Sequence, residues 1–302
     1  MPRIAASLLA LMLLVAGAAA DDVPTRLPAA PRIVAMGDWH GDLDAARRAL
    51  RLAGAVDQAD RWIGGDLVVV QTGDQLDRGD QEQAILELLE RLEHEAAAAG
   101  GAVITLLGNH EIMNAQGDFR YVTDGGWADF ADVPVDAAAA ADTAITALPT
   151  AHRPRAAAFR PGGPWARRLA HRRVAVIIGR DLFVHGGLLP DHVAYGLDRL
   201  NEETRAWLRG DGPEPELLQQ RSNPVWSRHY SDAPDSSDCA LLDEVLGALD
   251  CDRVFVGHTV QDRGVTPHCD QRIWCLDTGA AAYYGGNVEV LEITPESVTL
   301  RR

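Results

Sequence analysis

The stretch Arg32–Gly54, RIVAMGDWHGDLDAARRALRLAG, decides the fold. RIVAM is a short β-type run. The chain then turns through GDWHGD, where Gly37 and Gly41 fence Asp38 and His40. DLDAARRALRLAG places apolar residues at helical spacing and ends on Gly54, a helix stop. A buried strand, a polar turn and a covering helix form the repeating unit of a layered α/β protein.

The pattern recurs downstream. DLVVVQT runs into Gly73, AVITLL into Gly108, DLFV into His185 and RVFV into Gly257. DQEQAILELLERLEHEAAAAG reads as a second helix, with Asp80 and Glu82 in its first turn and Gly100 at its end. From about residue 112 to 173 the character changes: ADVPVDAAAAADTAITALPTAHRPRAAAF is rich in Ala, which predicts a mostly helical insertion over one face of the core. GGPWARRLAHRR predicts one more helix, begun by Pro164 and leading into the strand VAVIIG. RIWCLDTG, NVEVLEI and SVTLRR read as successive strands, so a second sheet is expected near the C-terminus.

Each of the five strand runs ends in side chains able to hold a metal: Asp38 and His40; Asp74, Asp77 and Arg78 in GDQLDRGD; Asn109, His110 and Glu111 in GNHE; His185 in HGG; His258 in GHT. The C-terminal ends of neighbouring strands open on one crevice in an α/β sheet. Glycine beside each candidate lets the backbone turn sharply. Carboxylate, imidazole and amide oxygen without thiolate suit a pair of divalent ions such as manganese, iron or zinc. The six remaining histidines default to exposed or hydrogen-bonded structure, and Trp39 to packing away from the crevice.

With 44 acidic residues against 28 Lys and Arg, the formal net charge is -16. A phosphate backbone is met by clustered cations, so this balance argues against a nucleic-acid partner. The N-terminus reads as a signal peptide over residues 1–20, with Arg3, the apolar run IAASLLALMLLVAGAAA and small residues at Ala18–Ala20. Residues 21–31 follow as a flexible lead-in, and residues 32–302 as the folded domain. Cleavage leaves no stable membrane anchor and predicts a periplasmic or secreted protein, in which disulfides are permitted. The four cysteines are expected to pair as Cys269–Cys275, across a hairpin, and Cys239–Cys251, with buried free thiols as the alternative.

Taken in order, GDWHGD, GDQLDRGD, GNHE, VHGG and VGHT resemble the calcineurin-like metallophosphoesterases, and within them the phosphoprotein-phosphatase branch. LLGNHEIMNAQGDFRYV, PVWSRHY and LDTGAAAYYGG look most like the Shewanella-like bacterial phosphatases. The resemblance implies a four-layer αββα metallophosphoesterase sandwich carrying the helical insertion. It implies that Asp38 and His40 hold one metal, that Asp74 bridges two, and that Asn109, His185 and His258 hold the second. His110 would be the general acid, oriented by Asp77, while Arg78 and Arg228 would bind the substrate phosphate. Manganese is the expected metal, with iron or zinc as alternatives.

The chemistry asks for the same residue types. Two ions lower the pKa of a shared water, whose hydroxide would attack phosphorus, and clamp the phosphoryl oxygens. An imidazole titrates in the range needed to protonate the leaving oxygen. A carboxylate on its other nitrogen keeps the ring oriented, and Arg offers a rigid fork to phosphate. Glu111 reads as structural. Trp226, Tyr283 and Tyr284 could line the pocket. LDTGAAAYYGG stands where eukaryotic Ser/Thr phosphatases carry a SAPNYC-type loop, so their substrate range does not transfer. The expected function is hydrolysis of phosphomonoesters, on phosphoprotein (Ser/Thr or Tyr) or small substrates. The rivals are a dinucleoside-polyphosphate hydrolase or phosphodiesterase of the same fold, and an inactive, metal-stabilised phosphopeptide-binding protein.

Overall fold

A computed structural model describes residues 23–302; the expected signal peptide lies outside the described residues. The chain runs β1 (Arg26–Leu27), β2 (Ile33–Met36), α1 (Leu43–Leu52), β3 (Val68–Gln71), α2 (Glu82–Ala98) and β4 (Ala102–Thr105). Helices α3 (Asn109–Gln116), α4 (Asp124–Asp129), α5 (Ala137–Ala141), α6 (Thr143–Ala147), α7 (Arg153–Phe159) and α8 (Pro164–Leu169) follow. Then come β5 (Ala175–Ile178), β6 (Asp181–Val184), α9 (Pro190–Tyr195), α10 (Leu197–Arg209) and α11 (Ser236–Leu249). The chain closes with β7 (Arg253–Val256), β8 (Thr266–His268), β9 (Ile273–Cys275), β10 (Val290–Ile293) and β11 (Val298–Arg301).

The strands form two sheets, ordered β11-β10-β2-β3-β4 and β1-β5-β6-β7-β9-β8. Both faces of the central strands are covered, which is why VVV and AVII read as continuous apolar runs. Ile33, Ala35, Val70, Ile104 and Leu291 of one sheet meet Val176, Ile178, Phe183 and Phe255 of the other, with Phe183 stacked on Phe255. Val34, Met36, Val69 and Val103 point the opposite way and pack under α1 and α2. Ala175, Ile177, Val184 and Val254 pack under α11. The result is the four-layer αββα arrangement.

Local chemistry explains the helices. Asp42 caps α1 by accepting the Ala45 N–H at 2.9 Å, and Leu43, Ala46, Ala49 and Leu50 make its buried face. Pro164 opens α8, as expected. Asp80 lies before α2 rather than in its first turn and bonds Thr123 instead.

Three expectations need correction. The expected second sheet is present, but the three C-terminal strands are divided between both sheets instead of lying together in it. β9 lies parallel to β7, whereas β10 pairs antiparallel with β2 and carries β11 at the edge. The lead-in is docked in part: Arg26–Leu27 pairs parallel with Ile177–Ile178. The disulfide joins Cys239 on α11 to Cys269 in the β8–β9 turn, while Cys251 and Cys275 are buried free thiols. The hairpin places Cys275 opposite Thr266, so Cys269 at the turn cannot face it; both free thiols point into the core beneath α11. No helix among the described residues is long and apolar enough to cross a membrane.

Candidate metal centre

β2, β3 and β4 run parallel in one sheet, and β6 and β7 run parallel in the other. The loops leaving their C-terminal ends meet across the interface between the sheets. The His185 ring, after β6, donates Nδ1–H to the Thr72 carbonyl after β3 at 2.9 Å. The His258 N–H, after β7, reaches the Asp38 carboxylate after β2 at 3.1–3.2 Å. All ten sequence-predicted residues belong to this junction or its immediate wall.

Asp74 is the hub. Its Oδ2 lies 3.2 Å from His185 Nε2 and 3.8 Å from the Nε2 atoms of both His40 and His110. Its Oδ1 accepts the His110 N–H at 3.0 Å. Donor atoms of His40, Asp74 and His110 form one group within 4.8 Å of one another, and those of Asp74, His185 and His258 form a second, so the carboxylate is common to both. The Asp38 carboxylate lies 3.8 Å from His40 Nε2. Asn109 Oδ1 lies 3.0 Å from His185 Nε2.

Backbone carbonyls set the ring orientations. Leu76 O lies 3.2 Å from His40 Nδ1, and a carbonyl can only accept, so Nδ1 carries the proton and Nε2 faces inward as a free lone pair. The Thr72 carbonyl likewise accepts from His185 Nδ1 and turns its Nε2 toward Asp74 and Asn109. The glycines are required by contact: a Cβ on Gly108 would lie 2.0 Å from Asp74 Oδ1, and one on Gly257 2.3 Å from Asp38 Oδ1. His40, Asp74, Asp77, Arg78 and His258 all take positive φ. Such conformations cost energy in non-glycine residues and concentrate at functional sites. The consecutive left-handed pair at Asp77 and Arg78 sends the first side chain inward and the second out to the cleft.

The electrostatics describe a site built for cations. Burial, then Asp277 and Asp74, raise the Asp38 carboxyl well above its usual range. Burial lowers the His40 imidazole to about 4 and carries His258 well below its ordinary value. Burial would raise Asp74, but His185, His110 and His40 around it outweigh that and hold it low. His258 Nε2 is buried without a hydrogen-bond partner. A buried, unpaired ring nitrogen in a group with Asp74 and His185 fits a divalent ion, as does the N/O donor set.

His110 faces the centre from α3. Its Nδ1 is 2.6 Å from Asp77 Oδ2. Burial opposes the charged ring, but Asp74 and the Asp77 hydrogen bond prevail and raise its pKa. Arg78 donates to Tyr283 Oη at 2.8 Å, with its guanidinium 4.0 Å from the Tyr121 ring centroid. Arg228 also lines the rim and donates to Thr259 Oγ1 at 3.0 Å. Both reach a cleft of about 60 Å³ over the centre, which Tyr121, Trp226, Tyr284 and Asp277 help to line. Trp39 is fully buried under α1, away from the centre.

Sequence reading missed Asp277, Tyr121, Asn114 and Arg155. Asp277 followed a strand run as the others do, in LDTG, and that position was its signal. Arg155 sits in an alanine-rich stretch that carries none.

The calcineurin-like phosphoesterase family model matches residues 31–262. The chain is 40% identical to Shewanella-like protein phosphatase 2 of Arabidopsis thaliana, over 90% of this chain and 78% of the relative. It is 26% identical to Shewanella-like protein phosphatase 1 of Plasmodium berghei, over 83% of this chain and 68% of the relative. The solved cold-active protein-tyrosine phosphatase of a psychrophilic Shewanella species superposes with a TM-score of 0.73 at 25% identity, covering 92% of this chain and 80% of that one.

Proposed function

The chain belongs to the calcineurin-like phosphoesterase family and is a phosphoric-monoester hydrolase; from that premise we propose that it is a dinuclear phosphatase of phosphoproteins, favouring phosphotyrosine. The observation that carries the reading is the Asp74 carboxylate shared between two imidazole groups. Asp38, His40 and Asp74 would hold one ion; Asp74, Asn109, His185 and His258 would hold the other. Two divalent ions, manganese by preference, with iron or zinc as alternatives, would lower the pKa of water and neutralise phosphoryl charge.

The protein's own groups supply the rest. Arg78 and Arg228, both lining the cleft, grip the phosphate oxygens. Tyr121 and Tyr283 hold the Arg78 guanidinium in place before substrate arrives. His110 carries a proton on Nε2 and delivers it to the leaving oxygen, while Asp77 fixes the ring from behind. Tyr121, Trp226 and Tyr284 wall the mouth with aromatic surface, which suits an aryl phosphate. The Shewanella neighbour is itself named a protein-tyrosine phosphatase, which supports the same preference.

Residues 1–20 act as an export signal in this reading, and the Cys239–Cys269 disulfide supports an oxidising compartment. Residues 112–173 are an insertion within one domain. The test assays metal content together with turnover of phosphotyrosine, phosphoserine and phosphothreonine peptides and a dinucleoside tetraphosphate on one preparation. Two ions per chain and fastest release from phosphotyrosine are expected. One ion per chain, or preference for the dinucleotide, overturns the reading.

A further inference from the structure

The carboxylate behind His110 is itself gripped by a cation from the alanine-rich segment. Arg155, on α7, is fully buried. Its Nη2 donates to Asp77 Oδ1 at 3.0 Å, its Nε to Asn114 Oδ1 at 3.0 Å, and its Nη1 to the Gly126 carbonyl at 2.9 Å and to Glu82. Asn114, one turn after His110 on α3, donates Nδ2–H to the same Asp77 oxygen at 3.0 Å and to the His110 carbonyl at 2.9 Å. Glu82 accepts the Asp77 backbone N–H at 2.7 Å. The two oxygens of Asp77 are therefore divided. Oδ1 belongs to Arg155 and Asn114, and Oδ2 belongs to His110.

We propose that Arg155 is a positioning residue for His110. It acts through Asp77, and the proposal rests on the reading of His110 as the proton donor. Held only by His110, the Asp77 carboxylate could rotate about its χ2 bond and carry the imidazole with it. Pinned at Oδ1 by a guanidinium fork and an amide, it presents Oδ2 in one direction. That leaves the ring one orientation, with Nε2 facing the cleft. A lysine keeps the charge but cannot bond Asp77, Asn114, Gly126 and Glu82 together, because their directions match a planar fork. The segment covering the core thus tunes the acid without touching substrate.

Leaving-group dependence separates this role from plain support of the fold. A proton donor matters for phenyl phosphate, whose phenolate leaves poorly, and little for 2,4-dinitrophenyl phosphate, whose phenolate leaves unprotonated. Arg155→Lys and the double variant Arg155→Met/Glu82→Gln, which removes the cation and one of its carboxylates together, are compared with His110→Asn in the manganese-loaded protein. Each variant is first checked for metal content and cooperative thermal unfolding. The expected result is a kcat on phenyl phosphate lower by about 10–10²-fold, with KM unchanged and dinitrophenyl phosphate turnover within about threefold. His110→Asn should show the same selectivity more strongly. Equal losses on both substrates in both Arg155 variants, beside a selective His110→Asn, overturn the positioning role and leave the acid standing. A His110→Asn variant without selectivity overturns the acid assignment and this proposal with it.

Discussion

The Glu111 carboxylate accepts the backbone N–H of Asp74 at 2.9 Å, and with it the N–H groups of Gln75 (2.9 Å), Leu76 (3.1 Å) and Gly108 (2.7 Å). One buried side chain thereby ties the loop after β3 to the start of α3 and fixes where Asp74 stands relative to Asn109 and His110. Glu111→Gln turns one oxygen into a donor that faces N–H groups. Two backbone donors lose their acceptor, and the expected cost is about 2–4 kcal/mol of stability in urea unfolding. Glu111→Asp, a methylene shorter, should not restore it. An unchanged unfolding midpoint would remove Glu111 from this role.

Asp77 holds His110 at 2.6 Å and helps raise its pKa against the effect of burial. In the proposed mechanism His110 is the acid and works while protonated, so activity is expected below this pKa and its loss is expected as pH rises through it. Asp77→Asn removes the charge that favours the imidazolium and so lowers the pKa. The alkaline limb of the kcat profile should move to lower pH, and kcat should fall about 10²-fold. Wild type and variant carry the same ions, so the ions' effect on His110 cancels in the comparison. A limb that stays in place assigns it to another group.

Burial holds His40 neutral down to about pH 4 and lowers His258 as well. An imidazole with its ordinary value near 6.5 is mostly protonated at pH 5 and cannot offer a lone pair. The folded-state shift is downward, so His40 keeps its ligating form through that window, and burial biases His258 the same way. Equilibrium dialysis against manganese should show no loss of metal on an imidazole titration near 6.5, because the raised Asp38 carboxyl and not the two rings sets the acid limit. Loss of metal following a titration near 6.5 would show that the rings are exposed to protonation.

The centre was legible in the sequence because its geometry follows from strand direction. A residue just past the C-terminal end of a parallel strand has one place to go, and five such positions name one crevice. Gly108 and Gly257 were legible for the same reason, since a tight turn beside a carboxylate has no room for Cβ. Arg155 was not. Its partners lie 78 and 73 residues away, and an arginine among alanines reads as the wet face of a helix until the fold buries it. The C-terminal strands carried strand propensity but no sign of which sheet they would join. That choice depends on which edge, β2 or β7, is open to them.

The cysteines show the same limit and give the last prediction. Four thiols allow three full pairings, and nearness in sequence favoured the wrong ones. The observed pair is set by packing: Leu242, Val245 and Leu246 seat α11 on the sheet, which brings Cys239 to the β8–β9 turn with a Cα–Cα distance of 5.4 Å to Cys269. The bridge spans 30 residues, and closing a loop of that length in the unfolded chain is worth about 3–4 kcal/mol. Cys239→Ser and Cys269→Ser should each lower stability by that order. The double variant should lose no more than either single one, because both remove one bond. Cys251→Ser leaves the bridge intact, so its unfolding should still respond to a reducing agent, while that of Cys239→Ser should not. Peptide mapping of the unreduced protein should recover Cys239 linked to Cys269; recovery of a Cys269–Cys275 peptide would overturn the assignment.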